Sequence, residues 1–167
     1  NLLAWLFIKQ KQYQKALTQY KALIARDADH LSSIKELGKI AFDNLDNDTA
    51  KDCFNLVIEK TNYESDKFHA IYMNLIIDIA NKEPELDNKF KSVLDQYGIS
   101  RKTIYIQLAY ADFLTFQRNN PEEAISVLEK ALSAKTDGLV RSALALIPET
   151  TGGSEMLLAS DLLQHKN

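Results

Sequence analysis

Apolar residues recur along this chain at intervals of three and four, and short polar runs interrupt the recurrence. Between Leu31 and Glu64, a stretch of 34 residues, Ile34, Leu37, Gly38, Ala41, Phe42 and Leu45 predict one helix with a single apolar stripe. Ala50, Phe54, Val57 and Ile58 predict a second. Asp43, Asn44, Asp46, Asn47 and Asp48 separate the two, and such side chains favour turns because they compete for backbone N–H groups. Gly38 and Ala50 supply small side chains where two antiparallel helices would approach closely. The same pattern occurs upstream: Leu3 and Leu37, Ala4 and Gly38, Ala16 and Ala50, and Tyr20 and Phe54 are each 34 residues apart. The expected fold class is therefore all-α, built from antiparallel helical hairpins in series.

The run Ile34, Leu37, Gly38, Ala41, Ala50, Phe54, Val57 resembles the tetratricopeptide repeat, with Asn62 where that family usually carries proline. The resemblance implies a right-handed α-solenoid, a TPR-like superhelix. It divides the chain into an incomplete repeat at 1–30, a full repeat at 31–64, a stretched repeat at 65–99, a fourth at 100–136 and a degenerate fifth at 137–167. In the third, Phe68, Ile71 and Leu75 keep the pattern, but Tyr72 stands where a small residue is usual and should splay the hairpin. Its first helix is expected to run on through Ile76, Ile77, Ile79 and Ala80, with Pro84 opening the second helix and Gly98 ending it. In the fourth, Ser100 is the expected N-cap of a helix carrying Ile104, Leu108, Ala111 and Leu114. Asn120, Pro121 and Glu123 predict a strong start for the next helix. Pro148 and Gly152-Gly153 interrupt the fifth.

Composition narrows the function classes. Hydrophobic residues make up 46% of the 167, enough for a continuous core, and a formal charge of −3 argues against nucleic acid as the default partner. Residues 1–26 nevertheless hold Lys9, Lys11, Lys15, Lys21 and Arg26 and no acid. Cys53, the single cysteine, excludes an internal disulfide and reads as a small core side chain. The apolar opening, Asn1 to Ile8, is too short to span a bilayer, and no membrane insertion is expected. The missing initial Met suggests a processed product or a piece of a longer repeat array. His30, His69 and His165 are scattered; Asp66 and His69, three apart, read as a solvated helix face sooner than as a metal or acid–base pair. No catalytic residue, metal or cofactor is expected.

What the resemblance implies about function is a concave groove lined by the first helices of successive repeats. Its positions here are Trp5, Ile8 and Lys9, then Lys35, Lys39 and Phe42, then His69, Met73 and Ile76. Lys39 and Asp66 stand where the family's carboxylate-clamp members carry Asn and Lys, which disfavours that subclass. The expected role is a protein–protein interaction scaffold for a protein or peptide partner, acidic and with an apolar anchor. A structural spacer or assembly unit without a peptide ligand, or a non-catalytic domain of a larger enzyme, are the alternatives. Leu2, Leu3, Leu6 and Phe7 would not all be covered by their own hairpin, which predicts self-association through the N-terminal end. Similarity to multi-repeat proteins of bacterial envelopes implies the periplasm, with the cytoplasm as the other location.

Overall fold

The structure, a computed structural model, describes residues 1–26 and 30–133. The expected fifth repeat, 137–167, lies outside the described residues. Among the described residues there are eight α-helices and no strand: α1 (Leu2–Lys9), α2 (Tyr13–Ile24), α3 (Leu31–Asp43), α4 (Asn47–Lys60), α5 (Glu64–Ala80), α6 (Leu86–Tyr97), α7 (Ile104–Phe116) and α8 (Pro121–Ser133). The chain forms two compact units, Asn1–Glu83 and the part from Pro84 onward. The stretch expected as the third repeat is thus shared, with α5 in the first unit and α6 in the second.

In the first unit each helix packs on the next in sequence, the pattern of a helical repeat array. The turns recur as faithfully as the apolar stripes. Lys11, Leu45 and Lys82 all have positive φ, at 56°, 64° and 54°. Just after them the N–H groups of Gln12, Asp46 and Glu83 donate to Phe7 O, Ala41 O and Asp78 O at 2.8, 2.9 and 3.0 Å. These six-to-one bonds close α1, α3 and α5 in the same way, satisfying carbonyls that the helix leaves open. Lys11 and Leu45 are one 34-residue period apart, whereas Lys82 comes 37 after Leu45, because α5 has 17 residues against 13 in α3. The expected run-on of the third first-helix is therefore an added turn that ends in the same cap. Leu45 corrects the sequence reading: instead of ending the apolar stripe it occupies this left-handed turn and is 87% exposed. Asp46 follows it as the N-cap of α4, accepting from Thr49 N at 3.1 Å.

One core runs through this unit, from Tyr13, Ala16 and Leu17 on α2 through Ile34, Leu37 and Ala41 on α3 and Ala50, Cys53, Phe54 and Val57 on α4 to Ala70 and Ile77 on α5. Gly38 lies at the α3–α4 crossing. A Cβ there would sit 3.0 Å from Cys53 Cβ and 3.0 Å from Phe54 Cζ, so any larger side chain requires these neighbours to shift. Along the α4–α5 seam three polar links follow one another: Asn47 to Asn81 at 2.7 Å, Lys51 to Asp78, and Asn74 to Asn55 at 2.7 Å. Their spacing by four on α4 and by three and four on α5 puts one polar stripe on each helix, which fixes the antiparallel register.

In the second unit α6 begins at Leu86, not at Pro84 as the proline suggested, because Glu85 takes a left-handed conformation (φ 58°) immediately before it. Gly98 ends the helix with φ 78°, as expected. Ser100 is an N-cap, though of a 3₁₀ turn, Arg101–Thr103, that precedes α7: its hydroxyl accepts from Lys102 N at 3.3 Å, and its own N–H donates to Thr103 Oγ1 at 3.1 Å. At the start of α8 the expected N-cap is present: Glu123 N donates to Asn120 Oδ1 at 3.2 Å, while the Asn120 side-chain amide donates to Glu123 Oε2 at 2.9 Å and its backbone N–H to Leu114 O at 2.8 Å. α7 packs on both α6 and α8 and is buried along most of its length. On it, Tyr110 and Phe113 stack on Phe90 of α6 with ring centroids 4.8 and 5.8 Å apart.

Candidate functional site

The nine groove positions all lie on α1, α3 and α5, the first helices of the first unit's repeats. Ile8, Phe42 and Met73 are half-buried and pack against the unit's core, and Ile76 is half-buried on α5, so these side chains are floor more than free contact surface. Trp5 is 51% exposed, and Lys9, one turn further along α1, places its ammonium 5.3 Å from the indole centroid. A cation over an indole face is held there by the ring quadrupole, which orients both groups.

The lysines at the expected groove positions differ from one another. Lys35 reaches from α3 to α5 and pairs with Asp66 at 2.5 Å, each side chain about one-third exposed. Among the described residues Lys39 makes a long 3.9 Å contact with Glu36 on its own helix, and its side chain is half exposed. His69 lies edge-on to Phe54, ring centroids 6.3 Å apart, and so leans on the core. Sequence reasoning linked Asp66 to His69 and missed its tie to Lys35. The repeat contains the signal: Asp66 minus one 34-residue period is Ser32, three before Lys35, so the two positions are neighbours across adjacent first helices.

Burial holds the imidazole of His69 below its ordinary range, Lys35 and then Lys39 push it further down, and Asp66 opposes them. The sign for stability follows. Below about pH 6.5, the ordinary imidazole value, the unfolded chain takes up a proton that the folded chain still refuses, so stability is lost as pH falls through that value. The melting temperature of the parent is expected to drop more than that of His69→Gln between about pH 7.5 and about pH 5.5; equal drops would remove the assignment. Cys53 offers no nucleophile: burial raises its thiol to about 12, with Asp52 adding to the shift. Among the described residues no group of three His, Cys, Asp or Glu side chains could hold a metal ion, and no helix is long and apolar enough to cross a membrane.

Helices packed in series, a glycine at the α3–α4 crossing and one turn geometry that closes α1, α3 and α5 alike define an all-α helical-repeat protein. The family model of the tetratricopeptide repeat matches residues 2–30, the part that holds α1 and α2. No curated protein and no solved structure matches the chain. Tetratricopeptide repeats generally mediate protein–protein interactions.

Proposed function

We propose that the face carried by α1, α3 and α5 binds a segment of a partner protein, one with carboxylates around an apolar anchor. The observation that carries this reading is the mixture on those helices: exposed Lys9, Lys39 and Trp5 beside a half-buried floor of Ile8, Phe42 and Met73. Charge speeds and orients the encounter, while apolar contacts supply most of the affinity. The test uses a fluorescent peptide with a Phe-Leu centre flanked by Asp and Glu, and its amide counterpart with Asn and Gln, followed by anisotropy. The acidic peptide should bind and weaken as salt screens the lysines. The Lys35→Glu/Lys39→Glu variant should lose about tenfold or more in affinity, about 1.4 kcal/mol, with unchanged helical content. Equal binding by parent and double variant would move the site off this face. If neither peptide binds, the array acts as a spacer.

A further inference from the structure

A partner carboxylate approaching Lys35 meets a carboxylate already in place. The Lys35–Asp66 pair, 2.5 Å long with 31% and 30% of its side chains exposed, is sheltered enough to persist and open enough to be exchanged. Asp66 stands in the first turn of α5, where the helix dipole favours an anion, so the pair is anchored from the α5 side. One turn along α3, Lys39 has no such close partner among the described contacts, its nearest carboxylate oxygen being that of Glu36 at 3.9 Å.

Resting on the groove reading above, we propose that Asp66 is an internal competitor for the partner's carboxylates. By occupying Lys35 it sets the number of acids a segment must carry to bind. A segment with one carboxylate at Lys35 merely exchanges one ion pair for another and gains little. A segment with several engages Lys39 and Lys9 as well, and those contacts are net gains. The partner class is therefore a multiply acidic segment, and the groove discriminates against singly acidic ones.

The experiment is a double-mutant cycle on the full chain, with the acidic fluorescent peptide as probe. Asp66→Asn should tighten binding by about two- to fivefold when Lys35 is present, the range that a partly exposed ion pair supports. In a Lys35→Met background the same substitution should change nothing. Circular dichroism confirms that each variant is folded, and Asp66→Ser replaces Asp66→Asn if the latter melts early. Equal tightening in both backgrounds would reduce the effect to bulk charge and overturn the competitor role, as would no tightening in either. Those outcomes leave the groove reading intact as long as Lys39→Glu weakens the peptide. Absence of saturable binding to both the parent and Asp66→Asn removes the groove reading and this inference together.

Discussion

Leucine in place of Gly38 should cost the first unit about 3 kcal/mol, enough to lower its melting temperature by about 12 to 24 °C. Even one methyl group at this position lies 3.0 Å from two atoms, and neither can retreat cheaply. Cys53 Cβ is tied directly to the α4 backbone, and Phe54 is a fully buried ring in the centre of the core. Alanine is the sharper probe, because glycine inside a helix forgoes about 1 kcal/mol of helix propensity. That gain opposes the clash, so Gly38→Ala should come out mildly destabilising and Gly38→Leu severely so. Thermal unfolding followed by circular dichroism checks both. A leucine variant that melts with the parent would mean that α3 and α4 do not approach at Gly38.

Phe90→Ala should damage the second unit by about 3 to 5 kcal/mol. The ring is fully buried and stacks on Tyr110 and Phe113, which joins α6 to α7. Truncation loses the transfer energy of the ring, leaves a cavity against two aromatic faces and removes the stacking geometry itself. Phe90→Leu refills most of the volume without the stack and should recover part of the loss. Urea unfolding of the three chains gives the comparison. A Phe90→Ala variant within about 1 kcal/mol of the parent would contradict the packing described for α6.

The helices of the first two repeats were legible because a 34-residue period shows each position twice: Ala4 with Gly38, Ala16 with Ala50, and Tyr20 with Phe54. The cap at Asn120-Pro121-Glu123 was legible for a local reason, since each residue there does its work within one turn. Leu45 was misplaced because an apolar residue at helical spacing looks the same whether the backbone continues or turns; the left-handed φ that removes it from the stripe leaves no mark on the side-chain pattern. Pro84 misled in a similar way, as a residue suited to a first helical position that stands instead two residues before the helix. At the candidate site, residue types and helix assignment were readable, but the partners were not. Lys35–Asp66 and Lys51–Asp78 join residues 31 and 27 apart, and those separations become neighbours only after the hairpins are stacked.

Trp5 is the single tryptophan of the chain and lies at the proposed binding face, so its indole N–H is a unique reporter. The most direct test of the account is a nitrogen–proton correlation spectrum of the labelled chain titrated with the acidic peptide. The account predicts that the Trp5 indole signal and the amides around Lys9, Lys39 and Met73 shift together along one saturation curve, while α2 and α4 stay nearly unchanged. Shifts concentrated on α2 and α4, with the indole signal unmoved at saturation, would contradict it.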